Sequence, residues 1–403
     1  MSVEPEHTPP VPRRRLHAPE AQAVTFVELF FDLVFVFAVT QVTSLTAANL
    51  DASGIARSLL LFWLIWWAWT QFTWTLNPAD TNHDAVRILT LVATGAAFLM
   101  AASTTRAFGS DALWFAVPYL VVRLLGLALQ VRIDVERDAQ HRTVFVWVAM
   151  SLVGLALVLL GALVEPPSRN WIWLLAIGAD LAAAGRASRG QWDIAPAHFS
   201  ERHGLFVIIA LGESLIVAAA AVSAEPRTAA LVIDTVGALV VAGLLWWSYF
   251  GWLKDGLEQS LEAAGPRRVG TIASTAFSIG HFPVICGIIA FAVALDDIVH
   301  HPAHVPPTSI VAALGAGVVL FVGCSALAYW RASGVILVPR LALLAATGVG
   351  LLAVSSLAPG WQLTVLAAGL LAIVLVEGHG PKSFHDARLD RGQPDGDLPI
   401  TDE

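Results

Sequence analysis

The chain does not alternate single polar and apolar positions. It shows apolar runs of roughly 20 residues, the length of helix that crosses the hydrocarbon core of a bilayer, divided by short stretches rich in charge, proline or glycine. Strands of a membrane barrel would alternate an outward and an inward face, so continuous runs predict helices. Twelve are predicted, over residues 24–46, 54–76, 87–106, 112–132, 143–164, 170–188, 204–223, 228–252, 269–294, 308–330, 335–357 and 361–377. The expected fold is all-α, a polytopic membrane helix bundle. Asp180 and Arg186 interrupt the sixth run, and only the turn at Pro359 and Gly360 divides the last two.

Composition agrees. Charged residues make up 13% of the 403 and hydrophobic ones 57%, where a soluble chain carries about a quarter of its residues as charges. Residues 1–23, with Arg13, Arg14 and Arg15 and no apolar core, read as a disordered cytosolic tail rather than a signal peptide. Residues 378–403 read as a second disordered cytosolic tail, whose acids contribute to the net charge of -8. Orientation follows the basic residues of short loops. Eighteen of the 23 fall on one side of the twelve-helix arrangement, Arg202 and Arg340 among them, four fall on the other, and Arg123 lies inside a span. This predicts both termini in the cytoplasm and the protein in the cell inner (plasma) membrane.

The apolar runs divide into halves, 24–190 and 204–377, joined by a basic cytosolic linker, 191–203. Asp32 matches Glu213, the pair Trp66 and Trp67 matches Trp246 and Trp247, and Arg87 matches Arg267 or Arg268, all at an offset of 180 or 181. Six helices per half predict two parallel repeats about an axis along the membrane normal.

Charges inside a membrane cost roughly 3 kcal/mol or more at the helix centre and face a polar interior or a partner. In the first run Thr25, Glu28, Asp32, Thr40 and Thr43 fall within about 120° of arc at 100° per residue. Such a stripe reads either as the lining of an ion or proton path or as a hydrogen-bonded seam between helices. Arg123, near mid-membrane, needs a carboxylate, and Asp32, Asp180 and Glu213 are the candidates. Acids outnumber it, which points to cation or proton handling; Ser214 accompanies Glu213. Ser278 and His281, beside Pro283, offer a hydroxyl and an imidazole near a proline-freed carbonyl.

Other features change the picture less. Cys286 and Cys324 read as packing residues. Asp296, Asp297, His300, His301 and His304 read as a solvated external loop, and neither a metal nor a cofactor is expected. Trp63, Trp67 and Trp74 share a helix face, either as packing or as an aromatic wall beside a pathway. No phosphate loop, HExxH or GxSxG element occurs, so an enzyme is not the leading expectation.

The run Val27-Glu28-Leu29-Phe30-Phe31-Asp32-Leu33-Val34-Phe35-Val36-Phe37-Ala38 closely resembles the opening signature of the bacterial low temperature requirement protein A family. The resemblance recurs in His198-Phe199-Ser200-Glu201-Arg202-His203-Gly204-Leu205-Phe206-Val207-Ile208-Ile209-Ala210-Leu211-Gly212-Glu213-Ser214, and covers most of residues 20–380. It implies a membrane protein linked to cold adaptation, with Glu28, Asp32, His198, Glu201, Arg202 and Glu213 as motif polar residues. His203 departs from the family pattern, which has an aromatic residue there. Phe30, Asp32, Val34, Phe35 and Thr40 also resemble the opening of lysosomal and bacterial potassium channels built from six-helix repeats, a pattern the seventh run lacks. Three functions stay open: a secondary transporter or ion/proton channel with a path between the halves; a non-transporting scaffold or sensor; and a membrane-embedded enzyme acting on lipid through Glu28, Glu201, His198 and His203. The expected partners are the bilayer and a small solute, cation or proton, with no nucleic acid; a homo-oligomer is left open.

Overall fold

The computed structural model of the chain describes residue 16 and residues 23–137, 141–190, 192–224, 226–302 and 304–378. Apart from residues 16, 23 and 378, the two predicted tails lie outside the described residues. The rest is helical: α1 (Phe26–Ala48), α2 (Ala52–Leu76), α3 (Asp84–Ala102), α4 (Ala112–Arg137), α5 (His141–Ala162), α6 (Ser168–Ala187), α7 (Pro196–Ala224), α8 (Ala229–Phe250), α9 (Leu253–Glu262), α10 (Val269–Ile272), α11 (His281–His300), α12 (Thr308–Val318), α13 (Cys324–Ser333), α14 (Val338–Ala353) and α15 (Pro359–Glu377). Among the described residues ten helical stretches are long and apolar enough to cross a membrane. Two further helices fall on predicted runs. α6 carries Arg169, Asp180 and Arg186, and α14 has 16 residues, about 24 Å at 1.5 Å per residue.

The outer surface is apolar. Phe30, Leu33, Ile88, Val92, Phe145, Ile233 and Leu352 are all exposed, while Glu28, Asp32, Arg123, Asp180, Arg202 and Arg340 are buried. This inverts the distribution in water and is what a lipid solvent selects.

Both α1 and α7 start on one side of the bundle, here termed the proximal face. α1 packs on α3, α2 on α4 and α6, α3 on α4, and α5 on α6. In the second half α7 packs on α11, α8 on residues 319–323 and on α15, α11 on α12, and α14 on α15. The halves meet along α1, α7 and α11.

Three sequence expectations are corrected. The linker 191–203 is helical from Pro196, so His198, Glu201 and Arg202 belong to the first turns of α7. Asp296, Asp297 and His300 are not in a loop but in the last turns of α11, where the His300 and His301 Nδ1 atoms donate to the carbonyls of Asp296 and Asp297 at 2.7 and 3.1 Å. Arg202 and Arg340, counted among the basic residues of the cytoplasmic side, are buried. Arg340 donates to both Glu377 carboxylate oxygens at 3.0 and 2.9 Å, to the Ser248 and Val322 carbonyls and to the Ser325 hydroxyl.

Two predicted spans contain π-type turns, Ala273–Ser278 and Val319–Gly323. In the first, the Ile279 N–H donates to the Ser274 carbonyl five residues back, which releases neighbouring carbonyls from the ordinary ladder. His281 Nδ1 donates to the Ala276 carbonyl at 3.0 Å, and the Trp66 indole of α2 donates to that of Ser278 at 2.7 Å. Arg340 takes the Val322 carbonyl of the second turn in the same way.

α11 and α12 cross backbone to backbone at Gly287 and Gly317. A Cβ on Gly287 would lie 2.6 Å from the Phe321 amide nitrogen and 2.7 Å from the Gly317 oxygen, a small-residue contact of the type that drives helix association in lipid. Gly287→Val is therefore expected to destabilise the detergent-solubilised protein by about 1–3 kcal/mol, read as a lower thermal midpoint. Gly348→Ala, where an added Cβ meets nothing within 4 Å, is the matched control and is expected to leave the midpoint in place.

Candidate functional site: a buried charge cluster between α1 and α7

The first turn of α1 presents Glu28 at a helix N-terminus, where unpaired backbone N–H groups favour a carboxylate. Its Oε2 accepts from the Thr25 amide and hydroxyl, each at 2.9 Å. One turn on, Asp32 points to the same side. α7 runs parallel to α1 and brings His198 and Arg202 to face them. His198 Nε2 lies 3.1 Å from Glu28 Oε1, Arg202 Nη1 lies 3.5 Å from the same oxygen, and Arg202 Nη2 pairs with Asp32. The Trp69 indole of α2 donates to Asp32 Oδ1 at 2.7 Å, and its ring lies 5.7 Å from the guanidinium carbon of Arg202. Glu201, half-buried, accepts from the Val24 amide at 3.4 Å.

The protonation of His198 follows from a neighbour. Asn77, at the end of α2, accepts from the Ala195 N–H through Oδ1 at 2.8 Å and donates to the Ala195 carbonyl through Nδ2 at 3.1 Å. A backbone N–H only donates and a carbonyl only accepts, so the amide cannot be reversed. Nδ2 also lies 3.2 Å from His198 Nδ1. That ring nitrogen must then be the acceptor, and the single ring proton sits on Nε2, donated to Glu28. His198 is neutral in this arrangement. Two carboxylates thus face one guanidinium, leaving one negative charge in excess among fully buried side chains. Asp32 Oδ2 has no hydrogen-bond donor, and Arg202 Nε has no acceptor.

The other predicted site residues are placed apart. Arg123 finds Asp180, at 3.1 Å, with the Tyr119 hydroxyl at 2.8 Å and the Trp67 indole alongside Asp180. The pair is buried and does not join Asp32 or Glu213. Thr40 and Thr43 turn their hydroxyls onto the Val36 and Val39 carbonyls of their own helix, at 3.3 and 3.0 Å. α1 and α7 pair Glu28 with His198 and Asp32 with Arg202, an offset of 170. Glu213 is eleven residues beyond Arg202, about 16 Å further along the axis. Asp32 and Glu213, matched as repeat positions by sequence, therefore lie at different depths. Glu213 is buried with no polar partner among the described residues, and the adjacent Ser214 hydroxyl is unpartnered.

His281 donates through Nδ1 to Ala276, so its Nε2 accepts from the Tyr249 hydroxyl at 2.6 Å. His203 donates through Nδ1 to the Phe199 carbonyl at 2.9 Å and sits among the rings of Trp69, Phe277 and His281, with Nε2 unpartnered. Reasoning from sequence did not select Trp69 or Asn77. The tryptophan run of α2 marks the helix, but no spacing singles out Trp69, and Asn77 reads as an ordinary helix-end residue.

The family model described as "Bacterial low temperature requirement A protein (LtrA)" matches residues 23–375. The chain is also similar to a protein of Rhizobium meliloti (strain 1021) named "Uncharacterized protein RA0937", at 29% identity over 308 residues, 74% of this chain and 75% of that protein. No solved structure matches it. The charge cluster is built from the two segments that carry the family resemblance, and the match spans nearly all described helices: the chain is a membrane protein of the bacterial low temperature requirement A family.

Proposed function

We propose that this protein is a secondary transporter or ion/proton channel whose path runs between the two six-helix halves, with Glu28 and Asp32 as a shared proton or cation site. The observation that carries the reading is the charge count. An uncompensated charge held in a low-dielectric interior costs several kcal/mol, and His198, fixed as a neutral donor, does not supply the missing positive charge. A proton or a small cation on the carboxylates does. Arg202 holds Asp32 in place, and Glu201 links the cluster to the proximal face. Glu213 and Ser214, unpartnered and deeper along α7, are the second station of the path. Arg123–Asp180 and His281–Tyr249 flank it and hold its walls.

The supporting context is architectural. Each half repeats the same order of helix neighbours, which favours two parallel repeats and twelve spans, α6 and α14 included. The excess of basic residues around the proximal face favours a cytoplasmic position for that face and for both termini, in the cell inner membrane.

A non-transporting scaffold or sensor is the second reading. It draws on the Arg123–Asp180 and Arg340–Glu377 ion pairs and on hydroxyls turned onto their own helices. His198 is hydrogen-bonded at both ring nitrogens, which leaves neither free to act as a base on a lipid.

In proteoliposomes carrying an internal pH dye, an imposed potassium diffusion potential is expected to drive proton movement through the wild-type chain. Asp32→Asn and Glu213→Gln should each slow it by about ten-fold or more, equivalent to about 1.4 kcal/mol of barrier, with the protein still monodisperse and abundant. No flux under any gradient, together with a stoichiometric crosslinked partner, would replace transport with the scaffold reading. In nitrogen-15 spectra of histidine-labelled protein at pH 7, His198 is expected to show the Nε2–H tautomer, and Asn77→Leu should abolish that preference. A doubly protonated His198 in the wild type would remove the charge excess and the argument built on it.

A further inference from the structure

The halves also face each other at the distal side of the bundle, opposite the proximal face, and there they leave a groove. It lies between α1 and α2 of the first half and α11 and α12 of the second, with a volume of about 360 Å³. Val42, Leu59, Phe62, Ile289 and Val293 form apolar walls, while α12 contributes only the small side chains of Ala312, Ala313 and Ala316 over much of its length, which keeps the groove open. Ile55 and Leu59 of α2 and Ala312 and Ala316 of α12 are exposed, so the groove opens onto the apolar outer surface. Water is a poor occupant, because it needs two to four polar partners. The Thr46 hydroxyl is already donated to the Val42 carbonyl at 2.7 Å, and deep in the groove that leaves the hydroxyl of Ser58, 3% exposed and without a partner. A hydrocarbon chain with an ester carbonyl for Ser58 to donate to fits these walls.

The distal end of the groove is charged. A recess that shares Leu50 and Val293 with it is lined by Asp296, Asp297, His300 and His301, at the C-terminal end of α11. Among the described residues no lysine or arginine pairs with either aspartate. Both imidazoles spend Nδ1 on carbonyls of their own helix, so each ring, while neutral, offers only an acceptor at Nε2. The recess is thus a set of acceptors with two carboxylates, partly exposed, and it calls for a cation that carries N–H groups. Beside it the first turn of α12 has no side-chain cap, and the free N–H groups of such a turn favour a phosphate. Ile310 of that turn lines the recess and Ser309 lines the groove.

We propose that groove and recess together bind one phospholipid with a primary amine headgroup, of the phosphatidylethanolamine class. An acyl chain lies along the apolar walls, the ammonium donates to Asp296 and Asp297, and the phosphate sits at the start of α12. A quaternary amine has no N–H to donate, and an anionic headgroup meets two carboxylates. A divalent cation suits the carboxylates but leaves the apolar groove empty. The site is independent of the transport reading.

The test is native mass spectrometry of the full chain in detergent with EDTA, titrated with lipids that share palmitoyl and oleoyl chains. One phosphatidylethanolamine per chain is expected to bind about ten-fold more tightly than phosphatidylcholine or phosphatidylglycerol. Asp296→Asn combined with Asp297→Asn should lower its affinity to that of phosphatidylcholine with the thermal midpoint unchanged, and each single variant should show part of that loss. Ala312→Leu, which narrows the groove from a lipid-exposed position, should weaken phosphatidylethanolamine by a similar factor. Equal binding of the three headgroups to the wild type overturns the proposal, as does an amine preference that survives in the folded double variant. Wild-type affinity in the Ala312→Leu chain, or binding that appears only when magnesium is restored, overturns it as well.

Discussion

Arg202 is the one guanidinium that Glu28 and Asp32 share, and the meeting of the halves depends on it. Neither carboxylate could be carried into an apolar interior without a positive partner, and no lysine or other arginine among the described residues reaches them. The partner comes from the opposite half, so the helix that bears the acids must lie beside the helix that bears the arginine. Parallel packing of α1 and α7, the entry of Trp69 against Asp32 and the seating of His198 between Asn77 and Glu28 follow from that pairing. A single hydrogen-bonding constraint, the backbone of Ala195 fixing the amide of Asn77, then sets the proton count of the cluster.

Much of the fold was legible in the sequence, because lipid leaves helices as the economical way to satisfy a long apolar backbone and because their length is set by the bilayer. All twelve apolar runs fall on helix, with ends displaced by up to eight residues. What escaped was chemistry at the margins of the runs. Arg202 and Arg340 lie within a turn or two of where hydropathy falls, so they were counted with the basic residues of the cytoplasmic side, yet each is drawn inward by an acid far away in sequence. The π-type turns have no compositional mark, since one extra residue in a helix leaves the apolar run unbroken. Glu213 was paired with Asp32 by likeness at an offset of 181, whereas the helices associate at 170; sequence likeness between halves carries no information about depth. Arg123, by contrast, was recognised as needing a carboxylate, and Asp180 was among those named.

Three arginines are handled in three ways. Arg202 is shared between two acids and remains incompletely bonded. Arg123 meets one acid and one phenol. Arg340 is surrounded by a carboxylate, a hydroxyl and two carbonyls, one of them released by a π-type turn. Arg169, at the distal ends of the helices, has no carboxylate at bonding distance and instead gathers the Gly161, Val164, Ala107 and Gly109 carbonyls at 2.9–3.2 Å, where helix ends carry partial negative charge. Arg123 and Arg202 both keep an unpartnered Nε, but Arg202 is shared by two acids and lacks an acceptor at Nη1 as well, so its surroundings are the ones that leave most room for change.

The tie between Arg340 and Glu377 also bears on biogenesis. The ribosome delivers α14 before α15, so the guanidinium enters the bilayer ahead of its carboxylate, just as the acids of α1 precede α7 by well over a hundred residues. The first half thus enters the bilayer with acids that only α7 pairs, and a nascent chain stopped short of α15 would present the Arg340 guanidinium to the membrane without its carboxylate.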